Sequence, residues 1–167
     1  MPSERVAVGS LPVRAARVGL VLLAVSSVVA CDNPLKDQAA AALGPEVPGV
    51  ETGPLHRPGQ PCLVCHDGAT ARAYSLAGTV FFTADSDRPA TFASVHLIDQ
   101  ASRRFVAVTN CAGNFFVRPE DFAPQFPLWV MLDAGSDEIE MDSPVHGEGS
   151  CAACHGLEPG PSSAGRV

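Results

Sequence analysis

Two pentapeptides constrain this chain more than anything else in it: Cys62-Leu63-Val64-Cys65-His66 and Cys151-Ala152-Ala153-Cys154-His155. Each sets two thiols two residues apart and places an imidazole directly after them. For six Cys and five His in 167 residues, one such match is expected about 0.006 times by chance. Two matches therefore call for a shared chemical reason. Eighty-five residues lie between Cys65 and Cys151, so the intervening chain has to fold in a way that carries one pentapeptide at each end.

The spacing is that of a c-type haem attachment site. Two thiols so placed can each bond one vinyl group. The next residue is then held beneath the iron, where its imidazole serves as proximal ligand. The sequence thus predicts two covalent haem c groups, one on Cys62 and Cys65 with His66, the other on Cys151 and Cys154 with His155. Two alternatives stay open. The four thiolates could hold tetrahedral zinc, but compact zinc ribbons separate their pairs by about 15 to 20 residues, and zinc leaves both adjoining histidines unexplained. Two redox-active disulfide pairs are the other alternative.

Three histidines remain as distal ligands. His56 precedes the first motif by six residues and His146 precedes the second by five. Both sit in Gly- and Pro-rich stretches with no evident core role, which suggests bis-His coordination. Loops this short are not expected to reach over their own haem. The expectation is a crossed arrangement, with His146 serving the Cys62/Cys65 haem and His56 the Cys151/Cys154 haem. His96 reads as a solvated strand residue. Met131 and Met141 are the alternatives, Met131 better suited to packing, and a Met ligand raises the potential relative to bis-His.

The N-terminus reads as an export signal. Arg5, Arg14 and Arg17 precede Val18–Ala30, an uncharged apolar run of 13 residues. That is too short for a hydrocarbon core of about 30 Å, although a buried helix or retained anchor is the alternative. Val28-Val29-Ala30-Cys31 resembles a bacterial lipobox. The resemblance implies cleavage after residue 30 and a lipid on Cys31, and hence a protein anchored on the periplasmic side of the inner or outer membrane, or at the cell surface. Asp32 resembles an inner-membrane retention signal of some bacteria. A chain starting at Cys31 has eight Lys and Arg against seventeen Asp and Glu. So acidic a surface argues against nucleic acid and favours basic protein partners.

Residues 31–60 read as a tether, with Pro34, Pro45, Pro48, Pro54 and Pro58 opposing regular structure and a helical turn at Ala39–Ala42. Residues 61–74 and 134–160 are the two expected haem-binding segments, and 161–167 a disordered tail. The acidic run Asp137–Asp142 reads as a solvated loop. Residues 75–133 read as mainly β. Tyr74–Phe82, Ala93–Asp99, Arg103–Thr109, Asn114–Arg118 and Pro127–Asp133 are short runs rich in Val, Phe and Thr, punctuated by turn residues. Alternation puts Val95, Leu97, Phe115, Val117, Leu128, Val130 and Leu132 on an inner face. Ile98, Phe116, Trp129 and Met131 fall on an outer face that needs a cover, from haem or from a second copy.

The pattern Gly78-x-Val80, Val95-x-Leu97-x-Asp99, Thr109-Asn110 leading to Gly113-x-Phe115, then Leu128-x-Val130, resembles the carboxypeptidase regulatory-like domain. That resemblance implies a small antiparallel β-sandwich of the transthyretin type, a scaffold rather than an activity. Cys111, in the turn, departs from the pattern and reads as a small buried side chain. The expected function is electron transfer between redox proteins. A dihaem peroxidase or reductase, with one open iron, is the enzyme alternative. A ligand-binding sandwich is the non-redox one.

Overall fold

The computed structural model describes residues 33–46, 48–50, 52–135, 138–156 and 163–166. The expected signal, residues 1–30, and Cys31 lie outside them. Contacts divide the chain after Pro34, and the unit from Leu35 onward carries the fold.

The fold is mainly β, as alternation of apolar residues requires. Among the described residues six strands form two antiparallel sheets: β1 (Leu76–Thr79), β2 (Ser94–Asp99), β3 (Arg104–Val108), β4 (Asn114–Val117), β5 (Leu128–Asp133) and β6 (Glu138–Glu140). One sheet pairs β1 with β4, and the other runs β3-β2-β5-β6. In β2 the even–odd rule is strict: Val95, Leu97 and Asp99 are buried while Ser94, His96 and Ile98 are half-buried. The core draws Leu76 from β1, Val95 and Leu97 from β2, Ala107 from β3, Phe115 and Val117 from β4, and Leu128 and Leu132 from β5. These are two inner faces closing on each other, a small sandwich.

Turn chemistry sets the registers. Asn110 Oδ1 accepts from the Ala112 and Asn114 amides at 2.9 and 3.1 Å, and Gly113 takes φ +75° there. A Cβ at Gly113 would meet the Val80 carbonyl at 2.4 Å. Asp99, 1 % exposed, closes the β2–β3 turn. Its carboxylate accepts from the Arg103 amide at 2.9 Å, Arg103 Nε at 2.8 Å and the Gln125 amide at 3.1 Å. Burial alone would raise its pKa. The Gln125 and Arg103 amides and the Arg103 guanidinium outweigh that, and the carboxyl titrates below its usual range.

Several expectations need correction. The acidic run is not wholly loop: Glu138–Glu140 pairs with β5 as an edge strand, with Ile139 opposite Leu132 and all three residues exposed. Backbone pairing supplies what composition does not. Cys111 is exposed rather than buried. The stretch expected to be a free tether contains α1 (Pro34–Ala42), which starts on a proline suited to a first helical position. Its later part is tied to the sandwich, since Asn114 Nδ2 donates to the Pro54 and His56 carbonyls at 3.2 and 3.0 Å. The tail is ordered at 163–166: the Ala164 amide donates to the Cys154 carbonyl at 2.7 Å, and Arg166 pairs with Asp87 at 2.8 Å.

Candidate functional site

The two pentapeptides adopt one local structure. Cys62–Val64 and Cys151–Ala153 each form a single 3-10 turn entered from an extended residue, Pro61 or Ser150. In each, the motif histidine amide donates to the carbonyl of the first cysteine, His66 to Cys62 at 2.9 Å and His155 to Cys151 at 2.8 Å. The turn folds the five residues back on themselves; Cys62, Cys65 and His66 line one cleft, whereas Cys151 and His155 line a cavity that Cys154, exposed, does not share.

A backbone carbonyl from a returning segment fixes each imidazole. After His66, Asp67 Oδ1 accepts from the Ala69 and Thr70 amides at 3.0 and 3.1 Å. Lys36 of α1 pairs with the Asp67 carboxylate and donates to Thr70 Oγ1 at 2.7 Å. The Lys36 ammonium, helped by those two amides, holds the Asp67 carboxyl far below the ordinary range. The loop so bent returns Arg72, whose carbonyl lies 3.0 Å from His66 Nδ1. After His155 the C-terminal residues return instead, and the Gly165 carbonyl lies 3.1 Å from His155 Nδ1. A carbonyl oxygen only accepts, so Nδ1 must donate in both rings. The proton then sits on Nδ1 and Nε2 keeps its lone pair, the arrangement common to metal-binding histidines.

Both turns pack against β1. One edge of β1 pairs with β4, placing Ala77 opposite Phe116. On the other edge Ala77 bridges to Ser150 in parallel, its amide donating to the Gly149 carbonyl at 3.0 Å. The approach is tight enough to require glycine twice. A Cβ on Gly78 would stand 2.8 Å from Cys151 Cβ, and one on Gly149 would stand 2.2 Å from the Ser75 carbonyl and 3.0 Å from Leu63 of the first motif. The two motifs thus meet across this strand, and the Cys62 and Cys151 thiols feel each other's charge. Burial pushes the Cys151 thiol up to about 12 and also raises Cys62. Both are therefore protonated at neutral pH. Among the described residues no three Cys, His or acidic side chains converge as a bare metal ion would need, and all five described cysteines are free thiols.

The first motif opens on a cleft of about 390 Å³ lined by His56, Cys62, Cys65, His66, Tyr74 and Phe116. Tyr74 stacks on His66 with ring centres 4.4 Å apart, and Phe116 stacks on Tyr74 at 4.8 Å. This covers one of the apolar side chains expected to face outward. The cleft falls in the size range of small-molecule and cofactor sites, and its mix of aromatic walls with thiols and imidazoles suits a flat apolar macrocycle. The second motif lines a smaller apolar cavity of about 50 Å³, between Cys151, His155, Met141, Ile139 and Phe115. Its donors suit the same group, but the space does not, so the strands and tail around it would have to part.

Of the histidines singled out in the sequence, His56 lies beside His66, with ring centres 5.8 Å apart. Its Nδ1 faces the Gly53 carbonyl. The Gly53 amide also donates toward Nδ1, at 3.4 Å. His146 is exposed and lines neither cavity, and His96 lies on the outer face opposite Met131. The crossed arrangement therefore finds no support on either side. Reading the sequence missed the Arg72 and Gly165 carbonyls and the Tyr74 stack. Backbone acceptors leave no mark in a sequence, whereas the single tyrosine of the chain, eight residues after His66, was a usable signal.

Comparison of the chain with protein-family models, with curated proteins and with solved structures found no match.

Proposed function

We propose that this chain is an exported, lipid-anchored dihaem c-type cytochrome that passes electrons between protein partners. Cys62, Cys65, Cys151 and Cys154 carry the two macrocycles through thioether bonds, and His66 and His155 are the proximal iron ligands. The observation that carries the reading is the repeated geometry: two C-x-x-C-H turns, each presenting an imidazole whose Nδ1 is held by a backbone carbonyl. A thioredoxin-type or zinc C-x-x-C has no use for that imidazole. The haem brings the redox chemistry. The protein supplies sulfur attachment, imidazole orientation and an apolar wall.

The motifs meet at one strand, so the reading favours transfer from haem to haem within the chain. The test is the intact mass and visible spectrum of protein made in a host with haem-maturation machinery. Two added macrocycles and a low-spin Soret spectrum are expected. Absence of any added macrocycle would overturn the reading. An electron carrier should also show no rapid, stoichiometric binding of carbon monoxide when reduced, whereas the enzyme alternative should. Cys31→Ala should move the protein from the membrane fraction to a soluble or unprocessed form.

A further inference from the structure

We propose that the outer face of the four-stranded sheet is the interface of a homodimer. A second copy of the chain packs across it about a twofold axis that sets Arg104 of each copy on Glu138 of the other. The interface uses no residue of either motif and so stands apart from the dihaem reading.

Alternation fixes what this face carries. Val95, Leu97 and Asp99 of β2 are buried inward, so Ser94, His96 and Ile98 point outward. Strand pairing extends the assignment across the sheet. On β3, Val106 and Val108 stand opposite His96 and Ser94. On β5, Trp129 and Met131 stand opposite Ile98 and His96. Val106, Val108 and Trp129 are 48, 57 and 40 % exposed. Scattered singly, such side chains would need no explanation. Gathered on one sheet face, they mark an interaction surface.

The placement of charge says what covers it. Arg104 stands opposite Ile98 at one corner of the face. Glu138 stands opposite Asp133 at the other end of the diagonal, on the far edge strand. Three strand spacings, about 14 Å, and four residues of strand, about 13 Å, separate the two corners. The line that bisects this diagonal starts at Val108, passes between His96 and Met131, and ends near Trp129. It therefore follows the apolar residues. A copy turned by 180° about that line lays Val108 on Val108 and brings Arg104 onto Glu138 twice, once at each end. Its strands then cross those of the first copy at about 90°, one of the two angles at which sheets pack face to face. Self-complementarity of this kind is what a twofold interface requires. An unrelated partner has no need for opposite charges placed symmetrically about an apolar line. The face offers fewer outward residues than the roughly 20 to 30 a side of a standard interface, so the dimer is a weak one that forms and dissociates with concentration.

The test is light scattering of full-length mature protein, lipid and cofactors intact in mild detergent, over about a hundredfold range of concentration. The protein mass should rise from one copy toward two. Val106→Asp should hold it at one copy throughout, with Tm unchanged. Arg104→Glu and Glu138→Arg should each weaken the dimer roughly tenfold or more, since each change acts at two symmetric contacts. The two changes together should restore the parent's affinity, a recovery that misfolding cannot imitate. A mass of one copy at every concentration overturns the proposal. So does a dimer that survives Val106→Asp, which must be held elsewhere, or a combined charge variant that associates no better than either single one.

Discussion

Gly149→Ala tests whether the second motif is held where the strand edge places it. A Cβ at this position would lie 2.2 Å from the Ser75 carbonyl oxygen. That neighbour is backbone, so no side-chain rotation relieves the clash. Restoring ordinary contact needs the two segments to part by roughly 1 Å. The Gly149 carbonyl accepts the Ala77 amide at 3.0 Å, and Ala77 is 1 % exposed. Moved that far, the bond is lost and a buried donor is stranded, at about 1 to 3 kcal/mol. Overpacking adds a similar amount, and local relaxation offsets part of it, so about 2 to 4 kcal/mol is expected in all. For a unit of this size each kcal/mol lowers Tm by about 3 to 5 °C, giving a fall of roughly 6 to 20 °C. Gly147→Ala is the control, because nothing lies within 4 Å of its added methyl. It should stay within about 0.5 kcal/mol of the parent. Scanning calorimetry of the three proteins, matched for haem content, is the assay. If Gly149→Ala melts with Gly147→Ala, the parallel bridge to β1 is not what fixes the second motif.

Gly78→Ala presses on the same junction from the other side, with its methyl 2.8 Å from Cys151 Cβ. It should cost about 1 to 3 kcal/mol and lower haem occupancy at Cys151 and Cys154 but not at Cys62 and Cys65, read by mass spectrometry of proteolytic fragments. Asp99 gives a pH dependence of definite sign. Its folded pKa is depressed, so its contribution is fully present above the unfolded value of about 3.9 and is lost as pH falls below that. Tm of the parent should drop through this range more steeply than Tm of Asp99→Asn, and parallel curves would refute the assignment. In chain made without haem maturation, thiol reactivity should track burial. Cys111 and Cys154, both exposed, should alkylate first at pH 8, and Cys151, raised to about 12, should alkylate last. Equal rates would contradict the half-buried placement of Cys151 against β1.

The range of each interaction decided whether it was legible in the sequence. The β character was legible because alternation is local: Val95, Leu97, Leu128 and Leu132 face inward as their spacing demands. The pentapeptides were legible because each is a contiguous pattern, and both fold into the same 3-10 turn. By contrast, β6 was hidden because Glu138–Glu140 is strand only through its pairing with β5. The docked end of the tether was hidden for the same kind of reason. Its proline content describes what it cannot form, while Asn114, sixty residues away, decides where Pro54 lies.

His56 lies beside the histidine of the motif that follows it, with ring centres 5.8 Å apart. Six residues are too few to loop over a macrocycle if both ends start from the motif. The structure removes the premise, because residues 54–59 are fixed to Asn114 and Thr79 and approach His66 from the sandwich. β1 is the element that makes this work. It pairs with β4 on one edge and takes the second motif on the other, while the first motif runs directly into its start through the Tyr74 amide, which donates to the His66 carbonyl at 3.0 Å. Its second edge carries one isolated parallel bridge, Ala77 to Ser150. The same arrangement joins in space two motifs that the chain keeps eighty-five residues apart. Their juxtaposition depends on the register of one short strand, at which Gly78 and Gly149 leave no room for a side chain.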